Sequence, residues 1–193
     1  MSRRWTVVDL VVVAVIGSSF GVVYWAWNQL WLLTTPFFIA FPPGQAVLYG
    51  VWMLPQVLAA FIVRRSGAAV FGSMAAVIVS AFLGNVFGLT VLIYGLVQGS
   101  ASELVFAACR YRRWNWLVAG LATMLAALAG TGLDVILYYP FWVGGWKITY
   151  MAVGGASGLL LGASFVPLIV RRLAGAGVLE GLPAQRAALE RAR

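Results

Sequence analysis

The stretch LTVLIYGLVQGSASELVFAACRYRR, residues 89–113, decides how this chain folds. Its apolar part, Leu89–Ala108, is long enough to cross a bilayer core of about 30 Å as one helix, and it stops at Arg110, Arg112 and Arg113. The same punctuation recurs along the chain. Arg3 and Arg4 precede the first apolar run, Arg64 and Arg65 separate the second from the third, Arg171 and Arg172 close the sixth, and Arg186, Arg191 and Arg193 follow. The alternate breaks, Thr34 to Gly44, Gly84 to Gly88 and Tyr139 to Lys147, hold a single basic residue, Lys147. Short loops of membrane proteins keep Lys and Arg on the cytoplasmic side. The pattern therefore predicts six spans with both termini in the cytoplasm: Val7–Leu33, Ala46–Val63, Ala68–Leu83, Leu89–Ala108, Leu117–Tyr138 and Ile148–Val170.

Composition excludes the alternatives to an all-α integral membrane protein. Of 193 residues 63% are hydrophobic and 9% charged, too few charges to cover a soluble domain. The net charge of +8 marks topology and anionic lipid headgroups, not nucleic acid. Cys109 is the one cysteine and His is absent, so neither a disulfide framework nor a thiol metal cluster is available. The opening Ser2-Arg3-Arg4-Trp5 precedes an apolar run too long for a signal peptide, and the first span is expected to stay uncleaved. Residues 1–173 are expected to form a six-helix transmembrane domain and residues 174–193 a short cytoplasmic tail. The third span is the shortest and richest in small residues, which predicts a central position. Pro55 and Pro167 fall inside spans, where neighbouring helices can serve the carbonyls they free.

Polar groups at membrane depth are costly and mark function. Trp27 and Asn28 near the outer end of the first span, Tyr49 and Trp52 in the second, Tyr94 and Gln98 in the fourth, and Asp134 with Tyr138 in the fifth converge about 5–13 Å below the outer surface at 1.5 Å per residue. That depth predicts a pocket opening outward. Trp5, Trp31, Trp114, Trp116, Trp142 and Trp146 read as interfacial belt residues. Asp134 either pairs with Lys147 or awaits a polar or cationic ligand. Glu103, about 9 Å from the inner surface, either pairs with Arg110 or belongs to the pocket. Gly154, Gly155, Gly158 and Gly162 form a small-residue face on the sixth span, expected to pack within the bundle. Ala14, Gly17, Ser18 and Gly21 form another on the first span, expected to meet a membrane partner. No metal site, nucleophile pair or phosphate loop stands out, and no Walker-type motif occurs, so catalysis and nucleotide coupling within this chain are not expected.

Tyr49-Gly50-Val51-Trp52, Gly84-Asn85 with Gly88, Tyr94-Gly95, Gln98-Gly99, Ser102-Glu103-Leu104-Val105-Phe106-Ala107 and Arg110-Tyr111 together resemble the YkoE family. Gly21-Val22-Val23-Tyr24 with Trp27, and Asp134, fit the same pattern. The family comprises six-helix substrate-binding (S) components of energy-coupling-factor (ECF) vitamin transporters. The resemblance runs from Val7 to Leu179 and is most specific from Gly95 to Arg110. It implies capture of thiamine or its hydroxymethylpyrimidine precursor from outside, with Asn85 and Glu103 joining the binding residues above. It also implies docking on a membrane coupling protein driven by two cytoplasmic ATPases, a location in the bacterial cell membrane, and no cofactor beyond the vitamin ligand. A small channel or scaffold, whose aromatics serve only as belts, is the competing expectation.

Overall fold

The computed structural model describes residues 5–184; Arg3, Arg4, Arg186, Arg191 and Arg193 lie outside them. Among the described residues six α-helices follow in order: α1 (Val7–Thr34), α2 (Leu54–Val63), α3 (Ala68–Phe82), α4 (Thr90–Ala108), α5 (Trp116–Leu137) and α6 (Gly144–Gly175). Between α1 and α2 lie a one-turn 3₁₀ segment, Thr35–Phe38, and a 3₁₀ helix, Pro42–Met53, that runs directly into α2. Five segments are long and apolar enough to cross a membrane, the 3₁₀ helix and α2 counting together as Pro42–Val63, while α3 is shorter at 15 residues.

Local chemistry sets these boundaries. Thr6 and Asp9 form a reciprocal capping box at the start of α1, and Asn115 accepts from the Val118 amide at the start of α5. Arg64 closes α2 in a left-handed conformation. Pro55 sits in the first turn of α2 and not deep inside a helix, where its missing N–H costs little.

The helices alternate in direction, so the α2–α3 and α4–α5 loops share the end where α1 begins and α6 finishes, here the terminal end. Trp5 donates to the Ser66 carbonyl (3.2 Å) and the Tyr111 hydroxyl to Ser66 Oγ (3.4 Å), tying these segments together. Arg64, Arg65, Arg110, Arg112, Arg113, Arg171 and Arg172 therefore gather at one end and Lys147 at the other, as their spacing requires.

Packing corrects two expectations. The central helix is α2, buried at every residue from Leu54 to Val63, whereas α3 leaves Ile78 and Phe82 exposed. The bundle also continues past residue 173. After α6, Leu179, Leu182 and Ala184 fold back and are buried in the apolar cluster that contains Val63 and Phe106. On α6 the glycines do pack internally. A Cβ on Gly158 would fall 2.7 Å from the Thr123 carbonyl oxygen of α5, and one on Gly162 would overlap the Thr123 side chain. The Thr123 hydroxyl donates to the Gly158 carbonyl at 2.6 Å in that gap.

Candidate ligand site

On the face of α1 turned inward, Val13, Gly17, Gly21, Tyr24, Asn28 and Trp31 are buried at intervals of three or four residues. Gly17 and Gly21 let α3 approach: a Cβ on Gly17 would meet Ala75 Cβ at 2.3 Å, and one on Gly21 would meet Val79 Cβ at 2.6 Å. These two glycines are thus occupied by α3 and are not open to a partner, while Ser18 stays exposed and Ala14 half-buried. Further along the stripe, Tyr24, Asn28 and Trp31 reach the wall of a cavity of about 370 Å³ at the end of the bundle opposite the termini. That volume lies within the range of small-molecule sites.

The other walls come from the 3₁₀ helix (Tyr49, Trp52), α3 and α4 (Val77, Val91, Tyr94, Gln98), the α3–α4 loop (Asn85, Phe87) and the end of α5 (Asp134, Tyr138, Tyr139). Trp52 Nε1 donates to Asn28 Oδ1 at 3.0 Å, which fixes the indole against the cavity. Trp31 and Trp52 lie 5.1 Å apart between ring centroids, and Tyr49 meets Trp52 edge-on at 5.2 Å. A Cβ on Gly130 of α5 would lie 2.4 Å from Gln98 Nε2 and 2.8 Å from the Tyr49 hydroxyl, so the missing side chain admits both groups. Asn85 donates to Ser80 Oγ (2.8 Å) and accepts from the Phe87 amide (2.9 Å), shaping the loop that closes this side. At the rim the hydroxyls of Tyr138 and Thr90 are 3.2 Å apart.

Asp134 is the charged group of the cavity. It is buried, with Oδ1 accepting from the Tyr94 hydroxyl at 2.5 Å and Oδ2 from the Tyr150 hydroxyl at 2.7 Å. Lys147 does not pair with it; its ammonium donates to the Pro140 carbonyl at 2.7 Å. Gln98 is also buried, and its amide has no hydrogen-bond partner among the described residues. On the cavity wall, that amide can both donate to and accept from a group that enters. Behind the site Tyr139 stacks on Trp142 at 4.0 Å, and both rings meet Tyr150. Burial, reinforced by the nearby Asp134 carboxylate, raises the Tyr139 hydroxyl's pKa, so it remains a neutral donor.

Of the residues singled out from sequence, Asn28, Tyr49, Trp52, Asn85, Tyr94, Gln98, Asp134 and Tyr138 come together around this cavity. Two do not. Trp27 points off the inward stripe and donates to the Leu48 carbonyl at 2.9 Å, bracing the 3₁₀ helix from outside. Glu103 lies near the terminal end of α4. It accepts from the amides of Gly67 (2.6 Å) and Ala69 (2.9 Å) and from the Tyr111 hydroxyl (2.7 Å), so it caps α3 and does not pair with Arg110. Burial, with Glu103 beside it, raises the Tyr111 pKa and keeps that hydroxyl a donor. Trp31, read as a belt residue, is a wall of the cavity. Tyr24, Phe87 and Tyr139 join it; for Tyr24 and Trp31 the available signal was their three- and four-residue spacing from Gly17, Gly21 and Asn28.

The cavity, walled by aromatics and amides, lies in a helical bundle of which five segments are long and apolar enough to cross a membrane, the architecture of a multi-pass membrane protein. The chain superposes on the crystal structure of an S-component of an ECF transporter with a TM-score of 0.92 and 29% identity, covering 97% of this chain and 95% of that one. Residues 8–129 match the family described as the ABC-type cobalt transport system, permease component. Over 183 residues, 93% of this chain and 90% of the relative, it is 31% identical to YkoE of Bacillus subtilis (strain 168), named as a candidate HMP/thiamine permease protein. The chain belongs to the YkoE family of ECF S-components, multi-pass proteins of the cell membrane.

Proposed function

We propose that this chain is the non-catalytic, substrate-capturing subunit of an ATP-driven ECF importer, taking thiamine or its hydroxymethylpyrimidine precursor from outside the cell. The observation that carries the reading is the pairing of Gln98 and Asp134 in one aromatic cavity: an amide on the cavity wall near a carboxylate held by tyrosine hydroxyls. An aminopyrimidine supplies both donors and acceptors for such groups. The thiazolium of thiamine adds a fixed positive charge that the carboxylate and the faces of Trp31, Trp52 and Tyr49 attract. The matched family's description names cobalt, yet one carboxylate among amides and rings, in a chain without histidine, is a donor set for an organic ligand rather than a transition metal.

Thiamine and hydroxymethylpyrimidine titrated by calorimetry into the detergent-purified protein test the reading. Saturable binding of either supports it. Binding of neither, with the protein folded, rejects it in favour of a channel or scaffold.

Import requires the cavity end to face outward and the terminal end to face the cytoplasm. In a Cys109→Ala background, cysteine at position 145 should react with an impermeant thiol reagent in intact cells, and cysteine at 112 should not. The reverse labelling would invert the proposed topology. Docking on a coupling protein driven by two ATPases is assigned to the exposed side of α1 at Ser18 and the adjoining Ala14, since Gly17 and Gly21 are covered by α3. Ser18→Leu or Ala14→Leu should stop transport while leaving ligand binding intact; loss of binding as well would place these residues in the fold.

A further inference from the structure

The 3₁₀ helix Pro42–Met53 is the least expected element of the chain. Runs of that winding beyond three or four residues are uncommon, and this one has 12. Side chains from two other helices bond to its backbone. The Tyr24 hydroxyl donates to the Trp52 carbonyl, which Pro55, lacking an N–H, cannot serve from three residues on. Trp27 Nε1 donates to the Leu48 carbonyl. From α6, Ser157 Oγ accepts the Gly50 amide at 3.1 Å and donates to the Val47 carbonyl at 2.5 Å. Val47 C=O and Gly50 N–H are the two ends of a single three-residue turn, so the Ser157 hydroxyl braces that turn from the side. Its approach depends on Gly50, where a Cβ would lie 2.7 Å from the Ser157 carbonyl oxygen and 2.8 Å from its Oγ.

The winding decides what faces the cavity. At three residues per turn, residues three apart eclipse one another, so Pro43, Ala46, Tyr49 and Trp52, all buried, share one edge, while Gln45, Gly50 and Met53 are buried beside it. At 3.6 residues per turn Tyr49 and Trp52 would diverge by about 60° around the axis, and the two rings would no longer share one wall. Ser157 does not line the cavity. We propose that it is a positioning residue for the ligand site, holding by its bridge from Val47 to Gly50 the 3₁₀ winding that turns Tyr49 and Trp52 together into the cavity. This deepens the function proposed above and rests on that cavity being where the vitamin binds.

The test compares wild type with Ser157→Ala, Ser157→Cys and, as control, Ser164→Ala, whose hydroxyl donates to the Leu160 carbonyl on the exposed side of the same helix. Ser157→Ala should bind thiamine about tenfold more weakly, as expected when a buried hydrogen-bonding group loses its partner. Ser157→Cys, a weaker hydrogen-bonding group, should fall between it and wild type, and Ser164→Ala should match wild type. In a Trp52→Ala background the Ser157→Ala loss should shrink to less than threefold, because the ring it aims is gone. Full additivity in that double-mutant cycle, or wild-type affinity for Ser157→Ala, would overturn the proposal. Hydrogen exchange of residues 46–53 without ligand gives a second reading: Ser157→Ala should speed it and Ser164→Ala should not, and equal rates would again overturn the proposal. If Ser157→Ala does not fold, Ser157→Cys carries the same cycle. Should wild type bind neither thiamine nor the pyrimidine, the vitamin reading fails on its own, and the exchange experiment still decides whether Ser157 holds the winding.

Discussion

The two ends of the bundle treat an acid in opposite ways. At the terminal end, Asp9 meets the Arg65 guanidinium at 2.9 Å and completes a capping box with Thr6, while Glu103 receives two backbone amides and a hydroxyl. Both acids join helices: Asp9 ties α1 to the α2–α3 loop, and Glu103 ties α4 to the start of α3. At the other end Asp134 is held by two tyrosine hydroxyls beside an open cavity, and the nearest lysine of that loop is engaged elsewhere. A carboxylate answered by a cation or by fixed amides is finished within the protein. One answered only by neutral hydroxyls keeps its charge available to whatever enters. Depth in the membrane alone does not separate a binding acid from a structural one; the partners do.

The contrast is broken most forcefully at the terminal end. Arg65→Met leaves the Asp9 carboxylate buried without its cation and should cost about 3–5 kcal/mol of stability, read as a large drop in Tm in detergent, with thiamine affinity of the folded fraction unchanged. Asp134→Asn should do the converse. Its Tm should move little, while thiamine affinity falls about ten- to a hundredfold, the value of a charged hydrogen bond, and hydroxymethylpyrimidine affinity falls less. Equal losses for the two ligands would make Asp134 a hydrogen-bonding group without a charge role. Glu103→Gln keeps one acceptor for the α3 amides and should lower stability by about 1–2 kcal/mol, leaving both ligands bound as before; a selective loss of ligand would return Glu103 to the site. Trp27→Phe removes one half-buried hydrogen bond and should change thiamine affinity by less than about threefold.

The charge pattern made the helix count and the grouping of loops legible, because arginines mark the chain ends and every second break between spans. The site was legible where residue type and depth coincide, as at Asp134, Tyr94 and Gln98. It was less so where neighbours along a helix compete. Trp27 and Asn28 are adjacent, and only the phase set by Gly17, Gly21 and Tyr24 says that Asn28 faces inward and Trp27 does not. Glu103 was ambiguous for another reason: its partners are backbone amides at residues 67 and 69, and amides carry no sequence signature. The 3₁₀ winding of Pro42–Met53 was hidden too, since the side chains that bond to its backbone, Tyr24, Trp27 and Ser157, are scattered along the chain.

The shortness of α3 has a mechanical consequence for the surrounding lipid. Its 15 residues rise about 22 Å, while the 28 residues of α1 packed against it rise about 42 Å. A hydrocarbon layer of about 30 Å cannot match both. On the α3 flank the acyl chains must thin toward the exposed Phe82 at the helix end and Leu89 of the loop bearing Asn85 and Phe87; on the α1 flank the helix must lean or protrude. Each ångström of mismatch costs only a fraction of a kcal/mol, but the strain is lopsided.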